Sequence, residues 1–95
     1  MPRTPLVEIN LRAAASSQEL HAILMKSLDF PDWYGCNWDA FWDAITALVE
    51  MPLEPVLTGW RDFSARLPRD AQLMRECLDD MSRQYPDLAS NVSYA

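Results

Sequence analysis

A chain of 95 residues, nearly half of them apolar, can close one hydrophobic core, so a single domain over residues 1–95 is expected. Two cysteines, Cys36 and Cys77, supply neither a disulfide framework nor metal-ligand spacing, which points to a reducing, cytoplasmic setting and to no cofactor or bound metal. No apolar run approaches the roughly 20 residues of a membrane span, and the start "MPRTPLVEINL" lacks a signal-peptide core, so the mature chain is expected to begin at Met1 or Pro2.

In chain order, "PLVEINL" alternates Val7, Ile9 and Leu11 after Pro5 and predicts a short strand with one buried face. In "SSQELHAILMKSL" the Ser16/Glu19 spacing is that of a capping box, and Leu20, Ile23, Leu24 and Leu28 recur at helical intervals. A helix from about Ser17 to Leu28 follows. "DFPDWYG" breaks it. Asn37 is placed to cap a second helix from Trp38 to about Val49, because its side-chain oxygen can accept from the free N–H groups of the first turn. "VLTGW" has a strand's composition, weakened by Gly59. A short helix near Arg61 to Leu67 comes next, then a longer one after Pro68 with Met74, Cys77, Leu78, Met81 and Tyr85 on one stripe. Val92 and Tyr94 suggest a last strand. The order predicts a small α/β layer: about three mostly parallel strands covered by about four helices.

The net charge of −6 is unevenly placed. Between Lys26 and Arg61 there is no Lys or Arg, and the interval holds Asp29, Asp32, Asp39, Asp43, Glu50 and Glu54; the remaining acids balance all the bases. Such a field repels phosphates and disfavours direct contact with nucleic acid, while favouring a basic protein or a cation. Solubility alone would also account for the acids.

With successive residues about 100° apart, Phe41, Ala44, Ile45, Leu48 and Val49 form the core face of the second helix. Asp39, Asp43 and Thr46 lie opposite, with Trp42 on one flank and the small Ala40 and Ala47 on the other. Two like charges at i, i+4 repel by a few tenths of a kcal/mol. Asp39 gains from the helix dipole in the first turn, but Asp43 lies too far along. Local stability thus explains Asp43 least. A pair of ordinary surface acids is one reading; a general acid/base pair or a divalent-cation site is another, but that chemistry needs a third group, and no histidine, carboxylate cluster or phosphate loop lies near in sequence. An enzyme is therefore not expected. Trp33, before Gly35 in a loop, and Trp42 read as surface anchors, which give large contact area at low entropic cost. Trp38 lies at the edge of the core face, Trp60 reads as core, His21 as structural, and Cys36, in the binding-side loop, as a small tolerated residue.

The run "LHAILMKSLDFPDWYGCNWDAFWDAI" resembles the barstar family, intracellular inhibitors of bacterial ribonucleases. Its pattern Tyr-Gly-x-Asn-x-Asp-Ala-x-Trp-Asp-Ala stands here as Tyr34 to Ala44. Leu20, His21, Leu24, Leu28, Pro31, Thr46, Glu50, "PL" at 52 to 53 and "W-R-x-F" at 60 to 63 also match. The resemblance implies a barstar-like fold, a three-stranded parallel sheet packed against helices, and a helix with its preceding loop that plugs a basic active site. It places Asp39 and Asp43 as phosphate mimics, Asp43 at the dominant position, with Trp33, Gly35, Asn37, Trp38, Ala40, Trp42, Thr46, Ala47 and Leu48 at or beside contacts. Glu76, in "MREC", is the best match to a late glutamate contact. The implied partner is a basic, secreted bacterial ribonuclease, barnase-like or of the related guanyl type, bound one-to-one as in an immunity or toxin–antitoxin pair. Barstar itself has tyrosine and leucine where this chain has Trp33 and Trp38, glycine for Ala47 and an exposed tryptophan for Leu48. The partner surface is expected to differ accordingly, and immunity against a non-ribonuclease toxin stands as the alternative.

Overall fold

A computed structural model describes residues 3–95. Strand β1 (Leu6–Asn10) leads to helix α1 (Ser17–Ser27), helix α2 (Trp38–Asp43) with a π-helical turn (Ala44–Leu48), strand β2 (Glu54–Thr58), helices α3 (Trp60–Arg66) and α4 (Pro68–Gln84), a 3₁₀ turn (Pro86–Leu88) and strand β3 (Ser93–Tyr94). The strands form one parallel sheet in the order β1-β2-β3. This is the barstar-like α/β arrangement expected.

The alternation in β1 turns Ile9 inward and leaves Glu8 and Asn10 exposed. Central β2 carries Pro55, which is fully buried and paired with Val7. A proline cannot donate to the ladder and is normally kept out of central strands. Its missing N–H falls on the β3 side: Leu53 O accepts from Asn91 N and Leu57 O from Ala95 N, while Glu54 N donates to Pro5 O of the β1 side. Because β3 pairs only at Val56↔Ser93 and Leu57↔Tyr94, the gap costs one short ladder rather than a long one. Gly59 ends β2 rather than lying within it. Its φ of 70° turns the chain into α3, and a Cβ there would clash with Arg12 Cγ.

Phe41, Phe63, Leu20, Leu24, Ile45, Met74 and Met81 are the large, fully buried side chains that join α1, α2, α3 and α4 beneath the sheet. Two arginines fasten the periphery. Arg3 donates to the carbonyls of Met51, Pro52, Leu88 and Ala89 and to Ser90 Oγ. Arg66 donates to the carbonyls of Leu11, Arg12 and Ala14, fixing the loop into α1.

Four expectations are corrected. The second helix does not run as a regular α-helix to Val49: Val49 N bonds Ala44 O, five residues back. Thr46 Oγ1 donates to Trp42 O at 2.7 Å, and such back-bonding competes with the α-helical ladder. The wider turn rotates later residues off the core stripe, so Leu48, placed on the core face by 100° spacing, is 43% exposed. Tyr85 follows α4 and is exposed, and Trp60 is only partly buried, packing on Phe63 and Tyr94 at the core's edge.

Candidate functional site

The chain leaves α1 at Leu28, reverses through Asp29 (φ 60°), and makes a turn in which Tyr34 N donates to Pro31 O. Tyr34 is buried against Phe30, which anchors the loop and leaves Trp33 outside it, 69% exposed. Gly35 passes closely over the next helix: a Cβ there would lie 3.2 Å from Ala40 Cβ. Cys36, also left-handed (φ 53°), aims the chain into Asn37. Asn37 Oδ1 accepts from Ala40 N at 2.7 Å, and its Nδ2 donates to Gly35 O, so one side chain caps α2 and holds the loop. The expected N-cap is in place.

Asp39 and Asp43 project from α2 and are exposed, and among the described residues neither forms an ion pair. Beside them runs an open groove of about 450 Å³. Its α2 wall is Trp38, Asp39, Trp42 and Asp43; its α4 wall is Leu73, Glu76, Cys77, Asp80 and Gln84. No lysine or arginine lines it. Glu76 accepts from Gln72 and Asp80 pairs with Arg83, both within α4. Trp42 is half-buried and leans on Tyr85, with ring centroids 6.2 Å apart.

Trp38 is held most firmly. Its Nε1 donates to Asp70 Oδ1 at 3.0 Å, and the same oxygen accepts from Ser17 Oγ at 3.2 Å, so one carboxylate joins the starts of α1, α2 and α4. On its other side Trp38 packs on His21, centroids 4.5 Å apart, and on Phe41. His21 is completely buried, with Nδ1 2.7 Å from Tyr34 Oη. Burial holds the imidazole below its ordinary pKa, with the Asp70 charge opposing in part, and burial raises the Tyr34 phenol.

Of the residues singled out in the sequence, Trp38, Asp39, Trp42, Asp43 and Glu76 meet at the groove. Trp33, Gly35 and Asn37 lie in the loop that leads into it. Ala40 is half-buried beneath Gly35. Thr46 and Ala47 lie on the π-helical turn beyond it, with the Thr46 hydroxyl bonded to its own helix. Leu73, Cys77, Asp80 and Gln84 also line the groove, with no local sequence signal that marks them. They fall at helical spacing beside the buried stripe of α4, but their relevance depends on α4 packing beside α2, a long-range contact. Chemically the groove presents carboxylates and the Cys77 thiol between aromatic walls, and burial, with the nearby Glu76 and Asp39 charges, holds that thiol above its ordinary pKa. Among the described residues, no group of three His, Cys, Asp or Glu is arranged to hold a metal ion.

A parallel three-stranded sheet carrying an acidic, aromatic-walled groove between its second and last helices defines a small α/β protein of the barstar type. The chain belongs to the barstar family: the family described as Barstar (barnase inhibitor) matches residues 4–94. It is also similar to a Bacillus subtilis (strain 168) protein named "Putative ribonuclease inhibitor YrdF", 37% identical over 68 residues, which span 72% of this chain and 75% of that protein. No helix among the described residues is long and apolar enough to cross a membrane.

Proposed function

We propose that the chain is a protein inhibitor of a secreted bacterial ribonuclease, acting in the cytoplasm of the producing cell and binding one-to-one over the enzyme's basic active site. The carrying observation is that Asp39, Asp43 and Glu76 share one groove that has no lysine or arginine in its lining. An active site that binds phosphates presents arginine, lysine or protonated histidine, and rigid carboxylates accept charge-assisted hydrogen bonds from such groups. Trp33, Trp38 and Trp42 supply apolar contact area around them. Family membership and the name of the Bacillus relative support the ribonuclease-inhibitor role in general.

Asp43 is the residue assigned the deepest contact, because neither the helix dipole nor an internal ion pair accounts for its position. The wider acidic field speeds encounter with a basic partner, an effect that weakens with salt. The test is to add the purified chain to barnase and to a panel of basic secreted ribonucleases of the guanyl type and to follow RNA cleavage. Stoichiometric loss of activity supports the reading. Stable complexes only with toxins that do not cleave RNA would replace it with the second reading, immunity against another toxin. That reading draws on the exposed Leu48 and on Trp38, where this surface departs from barstar itself.

A further inference from the structure

His21 is not among the groove residues, yet it is the group on which the groove's α2 wall rests. Its ring packs directly on Trp38, and its Nδ1 contacts Tyr34 Oη, which in turn reaches the carbonyl of Asn37, the cap of α2, at 3.5 Å. The tautomer that serves both contacts carries hydrogen on Nδ1: Nδ1–H donates to Tyr34 Oη, and the phenol O–H donates to Asn37 O. Nε2 is then a buried acceptor, and among the described residues no partner lies within hydrogen-bonding distance. Neutral, this is a tolerable loss. Protonated, Nε2–H⁺ is a buried charged donor without an acceptor, one of the costlier defects a core can hold.

The groups facing His21 decide how that defect is relieved. Tyr34 approaches from the loop and Asp70 acts on it from α4, while the indole of Trp38 covers it from α2. The Asp70 carboxylate is already engaged by Trp38 Nε1–H and Ser17 Oγ–H. A charged imidazole competes with the indole for that carboxylate or admits water, and either course releases Trp38 from the position it holds on the groove.

We propose that His21 is an acid-sensitive positioning residue: protonated, it loosens Trp38 and the first turn of α2, so the contact face is ordered at neutral pH and disordered by mild acid. The consequence for binding rests on the ribonuclease reading; the structural switch does not. Burial of the imidazole places the transition below the ordinary histidine range, and the Asp70 charge limits how far below.

The test needs no partner. Proton NMR follows the His21 ring and the four tryptophan indole N–H signals of the full chain from pH 8 downward, with the Trp38 signal identified in Trp38→Phe. The expected result is that the Trp38 indole shifts and loses exchange protection with the same midpoint as the His21 ring, and that this change is absent in His21→Gln. Asp70→Asn, which keeps an acceptor for the indole but removes the charge, moves the shared midpoint to lower pH and keeps the test open should His21→Gln not fold. A Trp38 signal that stays flat while His21 titrates overturns the proposal. So does a change that persists in His21→Gln, or loss of all tertiary signals in the same step, since the event would then be global. Inhibition assays with barnase then report separately on the binding consequence.

Discussion

The indole N–H of Trp38 donates to Asp70 Oδ1 at 3.0 Å, tying the first turn of α2 to the first turn of α4. Those two helices form the walls of the acidic groove, so the bond that fixes the groove's spacing also fixes one of its aromatic side chains. Asp70→Ala is expected to leave the half-buried indole N–H unpaired and to destabilise the fold by about 1–3 kcal/mol. Asp70→Asn should cost less, since an acceptor remains. Urea denaturation read by tryptophan fluorescence checks both, and equal stability of Asp70→Ala and the parent chain would contradict the role.

Acid should weaken the fold through His21. Its folded pKa is depressed by burial below the ordinary histidine value, so between the folded and unfolded values the unfolded state binds the extra proton and stability rises with pH. This contribution is complete above about pH 6.5 and is lost as pH falls from there toward the folded value. Denaturation midpoints of the parent chain and His21→Gln, measured from pH 8 to 5, should converge as pH drops. A constant difference would show that His21 does not titrate on unfolding.

Arg3 holds the C-terminal segment by donating to Leu88 O, Ala89 O and Ser90 Oγ while also bonding Met51 O and Pro52 O. Arg3→Ala removes a charged donor from several acceptors at once, and a loss of about 2 kcal/mol is expected. Amide exchange should accelerate first at Asn91 and Ala95, whose N–H groups complete the edge of the sheet. Unchanged protection there would separate Arg3 from the docking of β3.

Cys36 occupies a left-handed conformation that costs a non-glycine residue roughly 1–2 kcal/mol. Its side chain is exposed and therefore loses little packing if removed. Cys36→Gly should raise stability by about 0.5–1 kcal/mol, the remainder being offset by glycine's freedom in the unfolded chain. A destabilised variant would mean that the thiol makes a contact worth more than the strain.

Much of the fold is legible in local signals. Ser16 and Asn37 cap the helices they were expected to cap, Pro68 opens α4, and the alternation of Val7, Ile9 and Leu11 sets β1. What the sequence hid depends on tertiary context. The π-helical turn comes from a competition at Trp42 O that a 3.6-residue period cannot anticipate, and it carries Leu48 outward. Pro55 in a central strand is acceptable only because β3 is so short. At the candidate site, Asp39, Asp43 and Trp42 were readable from one helix. Asp80 and Gln84 were not, because nothing local says that their face of α4 looks across at α2, and Asp70 shows its part only through Trp38.

On the proposed reading, Asp39 and Asp43 of α2, which form no ion pair among the described residues, meet the basic groups of an enzyme, with Asp43 foremost. The most direct measurement is an inhibition titration of barnase and related guanyl-type ribonucleases with the parent chain and with single alanine variants along α2. The account predicts that Asp43→Ala weakens binding most, by at least about 2 kcal/mol, with Asp39→Ala next and the fold unchanged. An Asp43→Ala chain that inhibits as well as its parent would contradict it.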